Sequence, residues 1–256
     1  RPTDVAAIRM LAEVAARIGR YLDAEHLLER CVELAPGFAA ARHHYAIVLF
    51  RQAKGEAALG EIERLLATDP DNASYRSLKA AILARLGDFE PSIALYERLL
   101  KEVPDQPKLW MSYGHALKTV GRRADGERAY RRSLDLQPSF GEAWWSLANL
   151  KTFRFADDDV ATMRREAARD GVGDDDRLHL EFALGKACED RGDWGASFAH
   201  YATGNRVRRA QIDYDAAESA AHVARSKATL TREFFATRAG SGCPARDPIF
   251  VLGMPR

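Results

Sequence analysis

Apolar residues recur at helical spacing along most of the chain, in short blocks that end at the same kind of break. Prolines stand at Pro36, Pro70, Pro104 and Pro138, 34 residues apart each time, in the contexts ELAPGF, ATDPDN, KEVPDQ and DLQPSF. Proline stops the helix before it and suits the first turn of the helix after it, so each marks a boundary between helical units. Inside the units a second breaker keeps the same period: Gly19, Ala53 with Gly55 just beyond, Gly87 and Gly121. There one helix must turn into an antiparallel partner, and each unit is predicted to be a helical hairpin. The small residues Ala12, Ala24, Ala46, Ala58, Ala80 and Gly114 let helices approach closely, while Leu28, Tyr96 and Tyr130 fill the space between neighbours. A lone hairpin cannot bury both its faces, so the units must stack.

Beyond Pro138 the register loosens. A fifth unit opens with GEAWWSLANL, continues through FADDDVATMRREAARDG, and ends at Val172 between Gly171 and Gly173 in place of a proline. A sixth unit follows a small insertion, with Gly185, Gly192, Asp193, Trp194, Ser197 and Tyr201 in the expected places. The array is assigned to residues 1–210, about six units. Residues 211–237 read as one capping helix, 238–248 as a linker rich in Gly, Ser and Pro, and 249–256 as a strand opening a second domain.

A 34-residue period with this punctuation resembles the tetratricopeptide repeat. The fourth unit carries Trp110, Tyr113, Gly114, Leu117, Gly121, Tyr130 and Pro138 at that family's pattern positions, with Gly126 where alanine is usual. The third carries Ala80, Leu83, Gly87, Asp88, Phe89, Tyr96 and Pro104, with Ser92 replacing that alanine. The resemblance implies an all-α solenoid, a right-handed superhelix of helical hairpins, that binds a peptide or protein segment on its concave face. First-helix positions two, five, nine, twelve and thirteen generally face that groove in the family. Projected onto the first four units, they include Arg9, Arg17, Arg51, Arg85, Lys108 and Lys118 against Glu13 alone, with His43, Phe50, Met111 and His115 among them. Trp145, Asn149 and Phe153 extend the face into the fifth unit. Such a groove is expected to favour an acidic, extended partner. A clamp for a terminal carboxylate needs paired asparagines, and only Asn149 falls at such a position.

Composition narrows the setting. The 38 Lys and Arg against 37 Asp and Glu give a net charge of +1, which offers no global field for nucleic acid or an anionic membrane. Cys31, Cys188 and Cys243 are odd in number and far apart, without a C-x-x-C pair, so a reducing, cytoplasmic setting is expected and a disulfide framework or zinc site is not. No run approaches the roughly 20 apolar residues of a membrane helix. No metal-ligand spacing or compact Cys/His cluster occurs, and the acidic runs Asp157–Asp159 and Asp174–Asp176 precede helical stretches, where aspartate complements the helix dipole. A monomer or weak oligomer is expected, since contacts in such arrays run between adjacent units.

The last residues, DPIFVLGMPR, give the first strand pattern in a helical chain. Gly253, Pro255 and Arg256 resemble the start of the phosphosulfate-binding loop of sulfotransferases, and a bacterial group of these enzymes places a tetratricopeptide array directly upstream. The chain is similar to that group, as the repeat array with only the first residues of an α/β sulfotransferase domain. The resemblance implies 3′-phosphoadenosine 5′-phosphosulfate as the donor of the intact enzyme. Arg256 would supply charge, Gly253 close backbone approach and Pro255 stiffness around the phosphosulfate. The start at Arg1 and the stop inside the loop motif read as a piece of a longer protein, with no catalytic residue of its own. A non-enzymatic interaction scaffold and the accessory array of another transferase, such as a glycosyltransferase, are the alternatives.

Overall fold

The chain divides into two compact units, Arg1–Arg208 and Arg209–Arg256; the computed structural model describes residues 3–242 of them. In the first unit the helices are α1 (Val5–Arg17), α2 (Tyr21–Leu34), α3 (Ala39–Arg51), α4 (Gly55–Thr68), α5 (Ala73–Leu86), α6 (Phe89–Glu102), α7 (Pro107–Thr119), α8 (Arg123–Leu136), α9 (Gly141–Ala148), α10 (Asp157–Ala167), α11 (Asp174–Asp190) and α12 (Trp194–Gln211), the last running past the unit boundary. Helices pair as hairpins, α1 with α2 through α7 with α8, and the second helix of each hairpin packs on the first helix of the next. The result is an all-helical solenoid of the tetratricopeptide kind, with no strand among the described residues.

Local chemistry explains the regularity. Gly19, Ala53, Gly87 and Gly121 all lie in the left-handed region, at φ of 79, 62, 96 and 83°. At each, the next residue's N–H reaches back to close the helix end: Arg20 to Ala15 O at 2.9 Å, Lys54 to Leu49 O at 3.0 Å, Asp88 to Leu83 O at 2.9 Å and Arg122 to Leu117 O at 2.9 Å. This is the six-to-one bond of a Schellman cap, which needs the left-handed residue before it. Gly192, at φ 74°, repeats it, with Asp193 N–H on Cys188 O at 3.0 Å.

The boundaries at the prolines are held differently. Residues 42, 76, 110 and 144 also fall 34 apart, and each sends a donor back into the loop before its helix. Arg42 reaches Pro36 O at 2.9 Å, Arg76 reaches Asp71 O at 2.8 Å, Trp110 reaches Pro104 O at 2.6 Å and Trp144 reaches Pro138 O at 2.8 Å. The core lies between the layers, with Leu28, Ile62, Tyr96 and Tyr130 no more than 2 % exposed. Each such side chain contributes roughly 1.5–3 kcal/mol by leaving water. The small positions beside them are fully buried at Ala12, Ala24, Ala46, Ala58, Ala80 and Ser92. Ser92 keeps its hydroxyl by donating to Ala80 O at 2.7 Å, and Ser197 does the same to Gly185 O at 2.9 Å.

The fifth unit is where period and structure part. Helix α9 stops at Ala148, and Lys151, at φ 59°, turns the chain early. Helix α11 then packs directly on α9, close enough that a Cβ on Gly141 would strike the backbone of Asp176. The two acidic runs occupy the first turns of α10 and α11. Asp159 accepts the Ala156 N–H at 3.0 Å and Asp176 accepts the Gly141 N–H at 2.9 Å.

In the second unit the stretch expected to be one helix over 211–237 is two, α13 (Ala216–Thr229) and α14 (Arg232–Ala236). Each begins at its own side-chain cap: Asp215 accepts the Ala217 N–H at 2.7 Å, and Thr231 accepts the Phe234 N–H at 3.2 Å. Neither helix buries a residue. The strand expected at 249–256, with Gly253, Pro255 and Arg256, lies outside the described residues.

Candidate peptide-binding groove

Three adjoining cavities follow the first helices of the hairpins. One is lined by Glu13, Arg17, His44, Ile47 and Arg51 among others. It shares Ile47 and Arg51 with a second of about 830 Å³, which runs past His43, Ser74, Ser77 and Leu78 to Lys108 and Ser112. That one shares Lys108 and Ser112 with a third, of about 870 Å³, bounded by Met111, Glu142, Asp175, Asp176 and Arg208. Shared walls make these one trough from α1 to α11.

The expected residues divide by their partners. Arg9 and Arg17 both pair with Glu13, at 3.6 and 2.9 Å, and Arg9 also approaches His44 Nδ1 at 3.4 Å. One carboxylate of α1 is thus shared by two guanidiniums of the same helix. Arg51, Lys108, Arg85 and Lys118 are exposed and have no ion-pair partner among the described residues. Arg51 and Lys108 stand in the trough with His43, whose ring meets Tyr75 edge-on at 5.1 Å. Arg85 lies over the ring of Phe50 at 5.2 Å, a cation–π contact that holds both side chains between α3 and α5.

His115 Nδ1 sits 2.9 Å from the Tyr130 hydroxyl, and its Nε2 is 4.0 Å from Glu142. Burial holds His115 below the ordinary histidine range, only partly countered by Glu142, and burial pushes the Tyr130 hydroxyl up. Tyr130 thus keeps its hydroxyl proton and His115 is neutral, the two joined by this hydrogen bond. His43 and His44 are lowered by burial as well.

Other members fall elsewhere. Met111 is 8 % exposed and belongs to the core beside Tyr130 and Leu134, touching the trough only at its wall. Trp145 packs against Phe182 at 5.5 Å. Because α9 ends at Ala148, Asn149 is its C-cap, and it shares a separate cavity with Lys118, Arg123 and Lys151 at the turn edge. Phe153 lies under the Arg131 guanidinium at 4.9 Å and against Phe155 at 5.0 Å. Neither continues the inner face, because the helix that would have carried them is too short.

The trough is thus basic in its first part, around Arg51 and Lys108, and mixed farther on, where Glu142, Asp175 and Asp176 enter. Ile47, Ser74, Ser77 and Glu142 stand at the projected positions nine, two, five and two, although only the charged, aromatic and histidine members were singled out there, while Asp175 and Asp176 come from the unit whose register has shifted. Cys31 is fully buried and donates to Val5 O at 3.3 Å; burial pushes its thiol up, which makes it inert packing.

Residues 15–82 match the tetratricopeptide repeat family. An uncharacterized protein of Aquifex aeolicus (strain VF5) is 25% identical over 142 residues, which are 56% of this chain and 18% of that protein. The match therefore spans less than a fifth of the relative's length. Among solved structures, TTC0263, a thermophilic TPR protein of Thermus thermophilus, aligns with a TM-score of 0.58 at 20% identity, over 70% of this chain and 98% of that one. MamA (41-end) from Desulfovibrio magneticus RS-1 aligns over 82% of this chain and 97% of that one at a TM-score of 0.49 and 13% identity. No helix among the described residues is long and apolar enough to cross a membrane.

Proposed function

We propose that this tetratricopeptide-repeat array is a protein-interaction scaffold that holds an acidic, extended peptide segment in the trough between α1 and α11 and presents it to an attached sulfotransferase domain. The observation that carries the binding reading is the contrast in pairing. Arg9 and Arg17 share one carboxylate, Glu13, whereas Arg51 and Lys108 line the trough with no ion-pair partner among the described residues. Unpaired cations in a concave wall raise the local potential and speed encounter with an anionic partner, an effect that salt weakens. Ser74, Ser77 and Ser112 beside them supply hydroxyl donors to an extended backbone.

The attachment rests on the resemblance of Gly253, Pro255 and Arg256 to a phosphosulfate loop, following a repeat array. In the intact protein 3′-phosphoadenosine 5′-phosphosulfate would be the donor, and the array would select the acceptor. An array without an enzyme remains the second reading, supported by the fold alone.

Titration of a fluorescent acidic peptide against the chain tests the groove. Arg51→Glu with Lys108→Glu is expected to weaken binding at least tenfold and to flatten its salt dependence, with the helical circular-dichroism signal unchanged. Equal binding of acidic and neutral peptides by parent and variant would sink the groove reading. Donor binding by calorimetry on the longer encoded protein tests the enzyme separately.

A further inference from the structure

One interface, repeated, builds the array: the second helix of each hairpin covers one face of the next hairpin's first helix. Its residues can be followed at the 34-residue spacing. Val48, Ile82 and Ala116 are 4, 0 and 2 % exposed. Ile82 clusters with Ile62 and Leu65 of α4, and Ala116 with Tyr96 and Leu99 of α6. The same place on α1 is Val14, which is 54% exposed, flanked by Met10, Leu11 and Ile18 at 61, 56 and 66%. Helix α1 presents the receiving half of the interface, uncovered.

Helix α12 presents the other half. Trp194 and Phe198 follow the left-handed Gly192 just as Phe89 and Ile93 follow Gly87. Ile93 is 2 % exposed and clusters with Leu109 and Ala116 of α7, whereas Trp194 and Phe198 are 68 and 76% exposed. Contacts inside the array show which positions meet. Gln52, at the place of Ile18, reaches Tyr21 O at 3.4 Å and Glu25 at 2.8 Å, the places of Trp194 and Phe198. Leu86, again at the place of Ile18, fills the space over Gly55, again at the place of Trp194.

We propose that the α1 face of one copy seats on the α12 face of a second, so that the arrays continue head to tail. A second copy is the occupant because this chain supplies both halves of its own unit-to-unit interface, both uncovered and both more apolar than the Gln52–Glu25 contact they would repeat. The contact is heterologous, so it propagates as an open chain and does not close as a symmetric dimer. It is independent of what the trough binds.

Sedimentation velocity on the 256-residue chain, from low micromolar to several hundred micromolar, tests it. The parent is expected to form a concentration-dependent ladder of species. Val14→Glu removes the receiving face and Phe198→Glu the donating face, and each alone is expected to be monomeric with unchanged helicity, since both side chains are solvent-exposed. An equimolar mixture of the two variants retains one intact face of each kind, and is expected to give a one-to-one dimer that extends no further. Ile18→Glu and Trp194→Glu serve as the second pair if either first variant loses helicity. A parent that stays monomeric throughout overturns the proposal and assigns the two faces to other segments. Assembly that survives Phe198→Glu overturns it in favour of α1 pairing with α1, and a mixture that stays monomeric overturns it outright.

Discussion

A Cβ placed on Gly114 would fall 2.6 Å from Cε1 of Tyr130, so the tyrosine ring occupies the space an alanine methyl would take. The ring is held there by its hydroxyl on His115 Nδ1 at 2.9 Å. Gly185 and Tyr201 repeat the relationship at 2.7 Å. In the first two units Ala12 and Ala46 stand opposite the smaller Leu28 and Ile62. The third unit departs from this matching, since Ala80 and Tyr96 stand at the places of Gly114 and Tyr130 in one buried cluster.

Gly114→Ala is accordingly expected to destabilise the array by about 1–3 kcal/mol, the range for forcing a methyl into a packed core, despite alanine's better helix propensity. Combining it with Tyr130→Leu is expected to recover part of the loss. Urea denaturation followed by circular dichroism measures both, and a stabilised single variant would show that the ring yields freely.

Ala53 holds the left-handed turn that glycine holds at residues 19, 87 and 121. Ala53→Gly is expected to stabilise by up to about 1 kcal/mol by removing the Cβ strain, and Gly87→Ala to destabilise by a similar amount. No side chain crowds Gly87, so the second effect reports backbone conformation alone. Thermal melts of the two variants are expected to move in opposite directions.

Trp144 is 3 % exposed and gives its only side-chain N–H to Pro138 O. Trp144→Phe keeps most of the apolar contact and strands that carbonyl, at an expected cost of about 1–3 kcal/mol. Hydrogen exchange is expected to quicken first in the turn before α9. Uniform loss of protection along the array would argue against a local role.

Stability is expected to fall as the solution is acidified. Burial lowers His43, His44 and His115 below the ordinary value of 6.5. The unfolded chain then binds more protons than the folded one once the pH drops through that value. The contribution is fully present above about pH 6.5 and is lost below it, by at most about 1.4 kcal/mol per pH unit for each proton. His115→Gln is expected to flatten the slope of melting temperature between about pH 7 and pH 5; an unchanged slope would remove His115 from the account.

Much of the fold can be read from the sequence because its causes are local. Proline cannot continue a helix, glycine accepts the left-handed turn, and the 34-residue spacing of both lays out the first four hairpins before any long-range contact is considered. The small residues at 12, 46, 80 and 114 follow from the same period. What the sequence left open is what depends on reach between helices. Arg9 and Arg17 share Glu13, Arg85 lies on Phe50, and His115 bonds to Tyr130 through contacts that helix position alone does not specify. The inner face stops at Ala148 because α11 packs on α9, which turned Asn149 and Phe153 away from their projected places. The uncovered faces of α1 and α12 could be recognised only once the buried positions between them were known, since an apolar residue is exposed or covered according to its neighbour and not its own identity.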